Sequence, residues 1–273
     1  MWAFLRTIRA NPVYQRESGR WGEPNSFYSK LNRFSPFVIM GALVLGLCGG
    51  NNLFSLAGLD SGTEWLLLFV CLPNVVMQML TWAALFLVPA LTAPAVAEEI
   101  KRGTWEILRL TPQPTHHVLF AKLFGALSRL KIWWPLFIVS ILQAIATAVG
   151  IVAASSTYEI VSFVAAVFLG TTLLLRPWFE IGYAAIVGLT VSTWASSSRA
   201  ALTACYSIIF GTKIVVWFGS LIAGILLDGY WASTGETFFL GASIAPLVVY
   251  FFANVTCAAV LYRRSLSVDT WSA

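Results

Sequence analysis

The chain has 273 residues, 58% hydrophobic and 11% charged, with a formal net charge of +5 and a mean hydropathy of +0.79. Soluble domains carry about 25% charged residues, so this composition excludes a soluble domain and points to an integral membrane protein. Cys48, Cys71, Cys205 and Cys257 all fall inside apolar runs without CxxC or Cys/His spacing, which argues against disulfides and a metal site.

Residues 1–34 hold Arg6, Arg9, Arg16, Arg20, Lys30 and Arg33 against Glu17 and Glu23, a cytoplasmic basic segment. Trp2, Leu5 and Ile8 share one face, so the segment reads as an interfacial amphipathic helix, with a mobile basic tail as the alternative. No apolar core of signal-peptide type precedes residue 35, and no cleaved signal is expected. Basic residues beside a span are topology signals rather than a nucleic-acid surface.

Residues 35–273 read as a span-containing domain, since about 20 apolar residues cross a bilayer. Spans are expected near 35–58, 65–92, 132–154, 178–195, 200–227 and 239–262. Gly46 and Gly50 in the first have GxxxG spacing, for which simple tolerance of glycine is the favoured reading over close helix contact. Trp133 and Trp134 suit an interfacial position at the start of the third. The stretch 160–197 is too long for one upright span and short for two, with Arg176-Pro177 dividing it. Charge favours six spans: of 17 Lys and Arg residues, all but Arg176 and Lys213 then lie cytoplasmic or at the inner interface, with both termini cytoplasmic. Residues 160–175 would be an outer helical extension or a re-entrant piece.

Between the second and third spans lies the long charged passage 97–122. Glu98, Glu99, Lys101, Arg102, Glu106 and Arg109 interleave with Ile100, Ile107, Leu108 and Leu110 at helical spacing, which predicts a short amphipathic helix over 98–110. Thr111-Pro112 ends it, Pro114 blocks a restart, and Thr115 is placed to cap the next helix.

Glu98-Glu99, Gly103-Thr104, Glu106, Leu108, Thr111-Pro112 and Lys122 resemble the cytoplasmic loop of ABC transporter permeases of the type-2 exporter class. Ala121 stands where that family usually has glycine, and His116-His117 where an acidic-apolar pair is common. Asn11-Pro12-Val13 with Arg16-Glu17 is similar to the segment before the first span, and Gly188, Ser192 and the serine run at 196–198 to the junction of the fourth and fifth. The resemblance implies an all-α permease with six transmembrane helices, an N-terminal interfacial helix and a coupling helix between spans 2 and 3. It further implies a place in the cytoplasmic membrane, surrounded by lipid and paired with an ABC ATPase subunit and a second permease half, a copy of itself or a different chain. Glu98, Glu99 and Glu106 would be polar contacts to the ATPase, Gly103 would permit close approach, Thr104 would belong to the same coupling set, and Thr111-Pro112 would transmit motion to the third span.

No catalytic set emerges. A P-loop requires GxxxxGK[ST], and Gly211-Thr212-Lys213 lacks the first glycine. The chain is therefore expected to bind no cofactor itself and not to be an enzyme, ATP and Mg²⁺ belonging to the partner ATPase. Adjacent His116 and His117 point to different sides of a helix and lack the spacing of metal ligands. Charges inside spans usually face a protein interior or a polar path. Arg176 and Glu180, four apart, read first as an ion pair at the outer boundary and second as a polar point on a substrate route. Lys213 fits equally a contact to an anionic substrate group and a tie to a neighbouring span. The alternative function, carried by the 12 tryptophans and short outer loops, is a permease-like structural subunit of a larger membrane complex without transport.

Overall fold

The structure, a computed structural model, describes residues 6–8, 10–18, 30, 33–46, 64–105, 114–155, 160–230 and 236–269. These form helices and no strand: α1 (Pro12–Glu17), α2 (Arg33–Gly46), α3 (Glu64–Thr92), α4 (Pro94–Lys101), α5 (Thr115–Ser128), α6 (Trp133–Ser155), α7 (Ile160–Ser192), α8 (Ser198–Tyr230) and α9 (Glu236–Asp269). Four stretches are long and apolar enough to cross a membrane: Leu72–Lys101, Gly170–Ser192, Ser198–Ile222 and Ile244–Ser265. A fifth is counted if α5 and α6, which meet at 79°, form one broken span. Helix α2 is apolar but shorter, and the rest of the expected first span lies outside the described residues. The protein is thus an all-helical chain whose apolar helices suit insertion in a membrane.

Helix α7 is the centre, packing against α3, α6, α8 and α9. The core runs through Met77, Leu80, Ala84 and Val88 of α3, Leu136 of α6, Ile181, Ala184 and Leu189 of α7, and Tyr250 of α9. The division expected at Arg176-Pro177 is absent, because α7 is continuous from residue 160 to 192. Pro177 cannot donate to the Leu173 carbonyl four residues earlier, and the Gln143 amide donates to it instead at 3.4 Å. At 33 residues the helix is about 50 Å long, more than a bilayer core requires. The helical extension is therefore observed and the re-entrant alternative is not.

Gly46 is more than tolerated. A Cβ there would lie 2.9 Å from the Val76 Cα, so its lack of a side chain lets α2 meet α3 backbone to backbone. Gly50 lies outside the described residues. The Trp133 indole donates to the Leu127 carbonyl at 2.6 Å, locking the α5–α6 corner, and stacks on Trp178. Trp134 has 74% of its surface exposed.

Candidate functional site

Pro94 stops the ladder of α3 and starts α4, which is buried along Pro94, Ala95, Val96 and Ala97. No side chain at Ala93 caps the new helix. The cap comes from another element: Ser192 Oγ, at the end of α7, accepts from the Val96 and Ala97 amides, both at 2.9 Å. Gly188, one turn earlier, makes room for this crossing, since a Cβ there would come within 2.0 Å of Thr92 Oγ1. The sequence pattern around Gly188 and Ser192 thus corresponds to a fixed crossing of α7 over the α3–α4 break.

The predicted single helix over 98–110 is not what forms. Helix α4 ends at Lys101, and Gly103 adopts φ +70°, a left-handed conformation that breaks the run. Nothing lies within 4 Å of a Cβ placed on Gly103. Within the chain, its conformation rather than close packing demands glycine. The turn brings Thr104 back so that its hydroxyl donates to the Glu99 carboxylate. Glu106, Thr111 and Pro112 lie outside the described residues.

Glu98 and Glu99, adjacent on α4, point apart. Glu98 pairs outward with Arg102 at 2.7 Å. Glu99 turns inward to Arg16 and to Lys122, the latter at 3.0 Å. Lys122, on α5, is 1% exposed, and its ammonium also donates to Glu17 at 3.2 Å and to the Ala95 carbonyl at 3.3 Å. Three N–H donors meet three acceptors, and two cations face two carboxylates, so the cluster is neutral and the buried ammonium satisfied, with Arg16 half exposed at the edge. Burial opposes the Arg16 charge, but Glu99 and Glu17 outweigh it and hold its pKa above the ordinary value.

This cluster ties three elements together. Asn11 caps α1 by accepting from the Val13 amide at 2.9 Å, and Pro12 opens the helix. Helix α1 packs on α5, where a Cβ on Gly125 would come 2.6 Å from the Glu17 Cβ, and Arg129 donates to the Arg16 carbonyl at 3.0 Å. Ile8 is buried by the protein, whereas Trp2 and Leu5 lie outside the described residues. In α1 the described part of the N-terminal segment is docked on α5. His116 and His117 meet ring edge to face at 4.6 Å, and His116 touches Tyr262.

The second cluster lies inside the helical bundle. Arg176 Nε donates to Glu180 at 2.9 Å along α7, as the spacing predicts. Lys213 of α8 donates to the other oxygen of Glu180, which is 1% exposed. Lys213 therefore does tie two helices, and it also faces the Trp82 ring at 4.8 Å. A cavity of about 320 Å³ opens beside this triad between α3, α7 and α8. The sequence reading missed the Glu180–Lys213 bond; the signal for it was a lysine in an apolar run, which requires a partner.

Comparison of the chain with known protein families, with characterised proteins and with solved structures finds no match in any of the three.

Proposed function

We propose that the chain is the transmembrane permease subunit of an ABC transporter of the exporter class, coupling ATP hydrolysis by a separate ATPase subunit to substrate movement. The observation that carries this reading is the joint between Glu99 and Lys122, residues from the two ends of the charged loop, with Arg16 and Glu17 bonded into it. A loop that receives force from a partner must pass it to spans without yielding. Here the loop's two ends, α4 and α5, are joined through buried charge and braced by α1. Glu98, paired at the surface, and the open space around Gly103 leave a face on which an ATPase could seat. Glu99 acts in this scheme as an internal anchor.

The fuller arrangement belongs to the same proposal: six spans in the cytoplasmic membrane, both termini and the 97–122 loop on the cytoplasmic side. Helix α8 offers Val215, Phe218 and Ile222 as an exposed apolar face for lipid or a second permease half. Coexpression with candidate ABC ATPases and measurement of ATP hydrolysis by the purified assembly tests the reading. Glu106→Ala and Gly103→Val are expected to insert normally and abolish transport-coupled hydrolysis. Unchanged coupling in both variants would contradict it. Assembly into a membrane complex containing no ATPase would favour the structural-subunit alternative.

A further inference from the structure

The cluster inside the bundle has an unbalanced charge. Arg176 and Lys213 are both bonded to Glu180, so two cations share one carboxylate and an excess of one positive charge remains. Such an excess is costly at membrane depth. The Trp82 and Tyr250 rings, 4.8 and 5.9 Å from the Lys213 ammonium, offset part of that cost. Arg176 reaches Glu180 through Nε, a bond that does not require the two terminal nitrogens of its fork.

Both cations line the 320 Å³ cavity, whose remaining wall includes Gln78, Trp82, Phe210 and Trp217. The site is positive at one point and aromatic around it. From the cavity an aromatic row continues along α3 and α8: Trp82 against Phe210, Phe210 against Phe86, and Phe86 against Tyr206, with centroids 5.8 to 6.4 Å apart. Trp82, Phe86 and Phe210 are all more than a third exposed, so the row is open along its length. Arg176 lies 16 residues from the Ser192 end of α7, the end bonded to α4. That is about 24 Å along the helix, past the middle of a bilayer core of about 30 Å. With the Ser192 end at the inner interface, as the permease reading has it, the charge sits in the leaflet away from the charged loop, and the aromatic row runs from it back towards the middle.

We propose that this cavity binds an amphipathic anion, its carboxylate or phosphate group at Arg176 and Lys213 and its apolar chain along Trp82, Phe210 and Phe86. Binding stands on the cavity alone; the anion's role as the transported substrate rests on the permease reading. The anionic group could belong to a membrane lipid or to a free amphiphile, and the chemistry of recognition is shared.

The full chain in nanodiscs of zwitterionic phosphatidylcholine is titrated with ω-bromoundecanoate, whose bromine quenches tryptophan fluorescence, and with the matching ω-bromoundecyl trimethylammonium cation. The acid is expected to quench saturably and to bind about tenfold more tightly than the cation, the effect of one favourable charge contact in a partly buried site. Lys213→Met should remove most of that preference. Glu180→Gln, which leaves both cations uncompensated, should strengthen it, a change opposite in sign to anything misfolding produces. Trp217→Ala should weaken both probes without altering their ratio. Equal binding of acid and cation, or a preference that neither Lys213→Met nor Glu180→Gln moves, would overturn the proposal. Displacement of the acid by phosphatidylglycerol in the nanodisc supports it with a lipid as the source. Displacement by dodecyl phosphate alone supports it with a free amphiphile. Anion preference in a chain that assembles with no ATPase keeps the site and removes only its role as a substrate site. An ATPase partner without anion preference removes the site and leaves the permease reading standing.

Discussion

Lys122 enters a site closed to water and finds an acceptor for each of its three N–H bonds. Breaking a buried pair leaves a charge without compensation, so Lys122→Met should destabilise the protein by about 3 kcal/mol. A clear fall in the thermal midpoint of the detergent-solubilised protein checks this, and an unchanged midpoint would show that the cluster does not hold the fold. Coupling is equally testable: Lys122→Met and Glu99→Gln together should cost less than the sum of the two singles, because each removes the other's partner. Gly103 makes a different prediction. Its φ of +70° penalises a Cβ, so Gly103→Ala should cost about 1 kcal/mol while Gly103→Asn is better tolerated. Equal thermal midpoints for the Ala and Asn variants would contradict that account. Glu98, Glu99, Gly103 and Lys122 were all legible in the sequence as a set, but their roles were not. Local spacing cannot say that adjacent glutamates part company, or that a lysine 23 residues away becomes the partner of one of them. Lys213 was hidden for the same reason, since its partner Glu180 is 33 residues away on another helix.

At the scale of elements, the informative places are the breaks. Proline was read as a divider at Pro177, where the helix continues, while the break falls at Pro94, which had been given no such role. The difference lies in what receives the freed backbone groups. Gln143 reaches the Leu173 carbonyl and lets α7 continue, whereas Ser192 takes the α4 amides and stabilises a new helix start. Neither partner is near in sequence, so neither outcome could be read from the proline. Ser192→Ala leaves two buried amides without their acceptor and should cost about 1–3 kcal/mol. Hydrogen exchange over 94–101 should quicken in that variant, and unaltered exchange there would mean that the crossing does not fix α4. The docking of α1 gives a second test. With the Glu17 Cβ only 2.6 Å from where a Cβ on Gly125 would sit, Gly125→Leu should displace α1 and expose 12–17 to protease. Continued protection would show that α1 is held by something other than its packing on α5.

The whole molecule was legible as a class. An apolar chain with few ionisable residues, nearly all of its cations beside the predicted inner interface, specifies helices in a membrane. The pattern could not show which helix is central, because α7 carries the residues that made it look divisible and is the one packed on by six others. The two charge clusters now have different characters. The one at the α1, α4 and α5 junction is neutral, with Lys122 enclosed and Arg16 half exposed at its edge; the one between α7 and α8 keeps an excess positive charge beside a cavity. In the proposed permease, movement would depend on an ATPase gripping the charged loop. The direct test is affinity purification of the tagged chain from native membranes in mild detergent, with mass spectrometry of its stoichiometric partners, for the wild type and for a Glu106→Arg variant. The account predicts an ABC ATPase with the wild type and its loss with the variant. Stoichiometric recovery of membrane proteins without any ATPase would contradict it.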